Sequence, residues 1–342
     1  MDRIFIDISG YGYTGKTAIS DFLKSSKKIK SFPNTFEFEL FRVQNGLFDL
    51  YLSNQHTWSL IRSTNKLKNF QKLIYRIGNV RNPLKIQTYF NSGHSYQNIF
   101  KDKFISISNE FIEEIIESSE KVFWPYENLT NSNSDLLINK LKYILFKKVA
   151  YSNIHYSKRE NIKSLINDYL QKLFDVVCNK NQDFILLNNF FEPYDTDICL
   201  EIINNSKSIV VDRDPRDIYS SLINTNEVHL PDFENKKTIE FLKSTSNFHN
   251  INSFINRYKL LRMNTKEGNH KSGLRLRFED FILDNEKKSK EICQFLNLKD
   301  VEPLSKDSLE NSKKNIGIWK KYQNSPEIKL IEKELAEYCY QK

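Results

Sequence analysis

Gly10-Tyr11-Gly12-Tyr13-Thr14-Gly15-Lys16-Thr17 satisfies the pattern G-x-x-x-x-G-K-[ST] in full. Before it stands the apolar run Ile4-Phe5-Ile6-Asp7-Ile8, a strand by composition. After it, from about Thr17, Ile19, Phe22 and Leu23 recur at helical spacing. Glycines let such a strand-to-helix turn curl until several backbone N–H groups aim at one anion, and the helix N-terminus adds partial positive charge. Lys16 would bring a full charge to the same point. Gly10, Gly12, Tyr13, Thr14, Gly15, Lys16 and Thr17 are therefore expected to cradle a phosphate; the plainer alternative is a glycine-rich turn that binds nothing.

Outward from this loop, the chain alternates between strand and helix signals at both ends and turns helical in the middle. Phe36-Glu37-Phe38-Glu39-Leu40-Phe41 alternates apolar and acidic residues and predicts a second strand with Glu37 and Glu39 on one face. From Gly46 to about Cys178 apolar residues recur at helical spacing. The stripes are Leu60, Ile61, Leu67, Phe70, Leu73 and Ile74; Phe111, Ile112, Ile115 and Ile116; Leu136, Leu137, Leu141, Ile144 and Leu145; Ile162, Leu165, Ile166, Leu170 and Leu173. Stripes of this kind predict core-facing helices. Strands then return at 184–187, 208–211 and 274–278. Helices are expected from Asp195, over about 239–263, through Ile292, Phe295 and Leu296, and from Pro326. Apolar strands alternating with helices imply an α/β fold: a three-layer, phosphate-loop-type parallel sheet flanked by helices. Residues 1–342 are expected to form one such domain, with 47–180 as a large helical insertion or cap on the acceptor side.

The totals narrow the field. A chain of 342 residues with 39% hydrophobic and 27% charged residues can bury a sizeable core and has no need of a membrane. Its formal charge of +8 favours an anionic ligand, although abundant Lys, Asn and Ile also suit a coding bias toward AT-rich codons. Cys178, Cys199, Cys293 and Cys339 form no C-x-x-C pair, which argues against zinc and for reduced thiols. The first strand starts too early for a signal peptide, and no run approaches a membrane span. The expected location is the cytoplasm, with no nucleic-acid partner and at most peripheral contact with a membrane-bound assembly.

Arg213-Asp214-Pro215-Arg216-Asp217-Ile218-Tyr219-Ser220-Ser221 is the second informative stretch. Asp214 as helix N-cap, Pro215 at the first helical position and Asp217 three past the cap are accounted for by helix initiation. Arg213 and Ser221 are not. They lie eight positions apart, at a strand end and about two turns into a helix, where they could converge on one anion.

With this stretch the chain resembles the sulfotransferases that use 3′-phosphoadenosine 5′-phosphosulfate (PAPS), in particular bacterial, glycan-type members. In that family an N-terminal loop holds the 5′-phosphosulfate, while an Arg and a Ser eight positions on hold the 3′-phosphate; Arg213 and Ser221 match that spacing. Leu276-Arg277-Phe278-Glu279-Asp280-Phe281-Ile282 looks like the family's later strand, and Lys313-Lys314-Asn315-Ile316-Gly317-Ile318-Trp319 resembles its basic loop over the nucleotide. The likeness does not extend over roughly 47–180. It also departs at Tyr13, where the family usually has Lys or Arg; Lys16 stands where Thr or Ser is common and is inferred to have taken over the charge.

The resemblance implies in-line transfer of a sulfuryl group from PAPS to a hydroxyl, leaving adenosine 3′,5′-bisphosphate and requiring no metal. Lys16 would stabilise the leaving oxygen, and Arg213, Ser221, Lys313, Lys314 and Asn315 would hold the nucleotide. Glu37 or Glu39 would be the base. His56, His94 and His155 are alternatives to these acids, while His229, His249 and His270 look like loop or helix-start residues. The expected acceptor is a cell-surface carbohydrate or its precursor. Two other classes fit parts of the sequence: a kinase or NTPase with Thr17 and Asp212 on Mg-ATP, and a non-catalytic basic module that binds an acidic polymer.

Overall fold

Runs of isoleucine, leucine, valine and phenylalanine with no polar alternation suit strands covered on both faces, and here they pair in parallel. The computed structural model describes residues 2–34, 36–82, 84, 91–129, 131–149, 151–158, 160–225, 250–265 and 270–341. Among them the strands are β1 Ile4–Gly10, β2 Ile29–Lys30, β3 Ile116–Val122, β4 Ser152–Ser157, β5 Phe184–Asn188, β6 Ser206–Asp212 and β7 Gly273–Arg277. The chain divides into two compact units, Met1–Phe38 with Lys180–Lys342, and Glu39–Asn179.

The first unit carries a five-stranded sheet in the order β2-β5-β1-β6-β7, parallel throughout. β1 lies between β5 and β6, pairing Ile8 with Asn188 and Gly10 with Val211, while Asp212 of β6 pairs with Arg277 of β7. Four strands thus end along one edge, so the loops after β1, β5, β6 and β7 are neighbours. In open parallel sheets that carboxyl edge is where ligands bind. Helices of this unit are α1 Lys16–Leu23 and, after the second unit's six (α2 to α7, below), α8 Thr196–Ile202, α9 Pro215–Thr225, α10 Ile251–Asn264, α11 Phe278–Leu283, α12 Asn285–Leu296, α13 Lys306–Lys313 and α14 Pro326–Glu334. Ile6, Ile8, Ile209 and Val211 of the sheet pack with Ile19, Phe22 and Leu23 of α1 and Phe281, Ile292 and Leu296 of α11 and α12. Residues 239–249 of the expected long helix, with His229 and His249, lie outside the described residues.

The expected strand at Phe36–Phe41 is not formed. Glu37 makes one isolated bridge with Asn188, after which the chain turns. Phe38, Leu40 and Phe41 are buried by side-chain packing without a ladder, which the alternating pattern could not distinguish. The sheet gains β2 instead, two residues too short to show a period.

The second unit holds α2 Leu47–Gln55, α3 Leu60–Gly78, α4 Tyr96–Ile99, α5 Phe104–Ile115, α6 Asn133–Phe146 and α7 Ile162–Asp175. Leu67, Phe70 and Ile74 of α3, Phe111 and Ile115 of α5, and Ile166, Leu170 and Leu173 of α7 are buried, as their stripes predict. Two features depart from an all-helical insertion. β3 and β4 form an antiparallel ribbon whose strand Glu117-Ser118-Ser119-Glu120-Lys121 is too polar to signal a buried strand. The stripe Leu136 to Leu145, expected in the core, lies on α6, and none of that helix is buried.

Asp7, in the middle of β1, is fully buried. Its carboxylate accepts from Ser208 Oγ at 2.6 Å, Ser9 Oγ at 2.8 Å, and the Phe190 and Phe191 N–H groups at 2.9 and 3.1 Å. Burial outweighs these donors and pushes the group up to about 6 from its ordinary 3.8. A raised acid binds its proton more tightly folded than unfolded. Its contribution is therefore complete below pH 4 and is lost as pH rises through about 6, up to about 3 kcal/mol. Urea unfolding at a series of pH values should show this decline between pH 4 and 6, and Asp7→Asn should flatten it.

Candidate active site

Two of the three loop glycines are forced by their surroundings. A Cβ on Gly10 would lie 2.6 Å from both Thr14 Oγ1 and the Val211 carbonyl. Gly15 has φ +79, and a Cβ there would lie 2.5 Å from the Phe278 ring. Gly12 faces nothing within 4 Å. Gly15 is also the N-cap of α1; it offers no side-chain cap, and the first turn holds no acid, so the helix's N-terminal N–H groups keep their pull on an outside anion. Tyr13 takes the left-handed conformation at φ 64, and its ring packs with the cluster of Ile218, Leu222, Phe254 and Tyr258. Thr14 Oγ1 is buried without a partner.

Lys16 opens α1 with Nζ 3.5 Å from Glu37 Oε1. The same oxygen accepts from Asn189 Nδ2 at 2.5 Å. Asn189 follows β5 in the left-handed region at φ 48, and its N–H donates to the Ile8 carbonyl. In the sequence Asn189 carries a single signal, its place directly past an apolar strand.

Arg213, directly past β6, is only 4% exposed. Nη1 donates to the Tyr13 carbonyl at 2.7 Å and to Ser221 Oγ at 3.2 Å, and Nη2 donates to the Asn315 carbonyl at 2.5 Å. The guanidinium lies over the Phe278 ring at 5.2 Å, and its Nε has no partner. The structure thus brings together Arg213, Ser221, the loop and Asn315. Burial pulls the Arg213 pKa down, opposed by the charges of Asp217, Glu279 and Asp214. Asp212, one residue earlier, is committed elsewhere: Arg275 Nε at 2.6 Å and Arg262 Nη2 at 3.1 Å.

Asp214 caps α9 as expected, accepting from the Arg216 N–H at 2.8 Å. Asp217 does not close a capping box. The Asp214 N–H donates instead to Glu279 Oε1 at 2.8 Å. Asp217 accepts from the N–H groups of Gly317 at 2.8 Å and Trp319 at 3.1 Å, tying the 313–319 segment to α9. Arg216 supports the same tie, pairing with Asp214 at 2.6 Å and Glu332 at 2.8 Å and lying over the Trp319 ring at 3.9 Å. Within this segment Asn315 reaches Arg213 through its backbone. The side chains of Lys313 and Lys314 are exposed, on Glu310 at 2.8 Å and Asn311 at 3.0 Å.

Glu39 belongs to the other unit, where Arg42 holds both its oxygens at 3.0 Å. His56, His94 and His155 belong there too; His155 contacts Ser119 Oγ at 2.7 Å, and burial lowers its pKa.

These contacts fix two expectations. Gly12→Ala should leave the melting temperature unchanged, whereas Gly15→Ala should cost about 1–3 kcal/mol from its positive φ alone, read by thermal unfolding. Asp217→Asn leaves one of two half-buried N–H donors without its acceptor, at about 1 kcal/mol, and should hasten tryptic cleavage after Lys320 and Lys321.

No curated protein matches the chain. Among solved structures it is similar to the sulfotransferase domain from the curacin biosynthetic pathway, at 14% identity, 98% of both chains and a TM-score of 0.37. It is similar also to a sulfotransferase from Alicyclobacillus acidocaldarius, at 10% identity, 97% of this chain, 96% of that one and a TM-score of 0.35. Scores this low bear no weight on the site. A profile of the sulfotransferase family matches residues 111–303, more than half of the chain and inclusive of Arg213, Ser221 and Phe278. The chain belongs to the sulfotransferase family.

Proposed function

We propose that this sulfotransferase moves the sulfuryl group of PAPS to a hydroxyl of a carbohydrate, with residues of the β-sheet's carboxyl edge binding the donor. Buried Arg213 carries this reading. A guanidinium out of water, whose direct partners among the described residues are two carbonyls and a hydroxyl and whose Nε is unpartnered, lacks an anion in direct contact. A phosphate of the donor offers that charge in the two-pronged geometry a guanidinium prefers. The Gly10–Thr17 loop, with its uncapped helix terminus, suits the donor's other anionic end. Ser221 would share the first phosphate with Arg213. Asn315, Lys313 and Lys314 would border it, the lysines after leaving their surface partners.

When bound, PAPS supplies an activated sulfuryl group on a phosphate leaving group. Charge then builds on the bridging oxygen, and a cation at the head of α1 is suited to stabilise it; Lys16 has that role. Glu37, beside Lys16 and held by Asn189, is the favoured base for the acceptor hydroxyl, and Glu39 is disfavoured by its Arg42 clamp. Support for a carbohydrate comes from the hydroxyl this chemistry needs and from Trp58, Tyr75 and Tyr126, large aromatics left exposed in the 39–179 unit. The Mg-ATP reading loses its acid, since Asp212 is neutralised by two arginines.

Calorimetry with adenosine 3′,5′-bisphosphate in the absence of metal should report binding. Arg213→Ala should weaken it about tenfold to a hundredfold, and Ser221→Ala about fivefold. Metal-dependent ATP binding indifferent to Arg213→Ala would overturn the proposal. With labelled PAPS and a glycan panel, Glu37→Gln should lower kcat about 10²- to 10⁴-fold while leaving bisphosphate affinity intact.

A further inference from the structure

Helix α6 contradicts the burial its composition demands. Leu137, Ile138, Leu141, Ile144, Leu145 and Phe146 are each 46–67% exposed. Leu136 and Asn139 are the only half-buried positions of the helix. At 3.6 residues per turn, Leu137, Leu141, Ile144 and Leu145 form one continuous stripe, with Ile138 beside it. Lys140 and Lys142 fall on opposite flanks of that stripe. Lys147 and Lys148 follow at the helix end, and residues 131–149 contain a single acid, Asp135. The segment is inserted between the two strands of the β3–β4 ribbon, of which β3 is largely exposed.

We infer that α6 is a docking element for a membrane surface rich in anionic lipid. An apolar stripe flanked by lysines is the pattern of a helix lying in the headgroup plane, its aliphatic side chains among the acyl chains and its ammonium groups at the phosphates. Charge decides the occupant. A second copy of the chain seated on a two-fold axis would bring the same four lysines, with one aspartate, against themselves. An anionic surface meets all four with opposite charge, each contributing about fivefold in partitioning. The helix lies on the surface and does not cross it: 14 residues span about 21 Å, against about 30 Å of hydrocarbon. Among the described residues no helix is long and apolar enough to cross. Seated this way, the enzyme would meet acceptors that are themselves held at a membrane. The docking surface shares no residue with those assigned to sulfuryl transfer.

Flotation of the full-length protein with vesicles tests the inference. Vesicles of phosphatidylcholine with one-third phosphatidylglycerol should bind at least about tenfold more protein than phosphatidylcholine alone, and less as salt is raised. Lys140→Glu with Lys142→Glu should reduce binding about tenfold or more, and Leu141→Asp with Ile144→Asp should abolish it. These side chains are exposed, so circular dichroism, melting temperature and bisphosphate affinity should match the parent in both variants. Equal binding to the two vesicle types, binding unaffected by either variant, or no binding would overturn the inference. So would a dimer in sedimentation that Leu141→Asp with Ile144→Asp turns into a monomer without loss of vesicle binding.

Discussion

A guanidinium taken almost wholly out of water needs compensation, and much of the sheet's carboxyl edge is arranged around that of Arg213. Its neighbours each solve a part of the problem. The left-handed turn at Tyr13 brings a carbonyl to it, Asn315 brings another, and Ser221 brings a hydroxyl from two turns along α9. The Phe278 ring lies against it and leaves room for no side chain at Gly15. Acidic side chains stand nearby but are engaged elsewhere: Asp217 holds two backbone N–H groups, and Glu279 a third. The cation is therefore stabilised at a distance but left with neutral direct partners, which is the condition under which an incoming anion gains most.

Asp212 and Arg213 show how one residue's difference divides two chemistries. Both stand at the end of β6, where phosphate-loop hydrolases place a metal-binding acid. Here the acid is the residue enclosed by arginines and the arginine is the one with an unfilled donor. Asp214, Asp217 and Glu279, the acids the sequence displays most prominently beside this strand end, are each engaged with backbone N–H groups.

Much of this edge was legible beforehand because its elements are local. The apolar runs of β1, β5 and β6 signal strands covered on both faces, β7 alternates leucine with arginine at the sheet's edge, and the loop's glycines and the Arg213–Ser221 spacing are short-range patterns. What escaped depends on distant partners or on the absence of burial. Asp217 sits where a capping box would use it, and only its partners 100 and 102 residues later reveal its other task. Asn189 acquires meaning from Glu37, 152 residues away. Phe36–Phe41 has the alternation of a strand, yet it buries Phe38 and Phe41 by turning. The stripe of α6 is indistinguishable in period from those of α3 and α7, since periodicity reports an apolar face but not what covers it.

The tie between Asp217 and the 317–319 backbone has a consequence for synthesis. Asp214 likewise receives the Tyr340 N–H, 126 residues on, and Arg277 donates to the Tyr338 carbonyl. A ribosome delivers β6 and α9 long before any of these partners exist, so a nascent chain carries the Arg213 neighbourhood open until its final segment emerges. The sheet can assemble early from β1, β5 and β6; the anion-binding edge is completed last. Arrest of translation between about residues 300 and 317 would thus yield a chain with much of its core and an unlatched site, a species for chaperones to hold and for proteases to find.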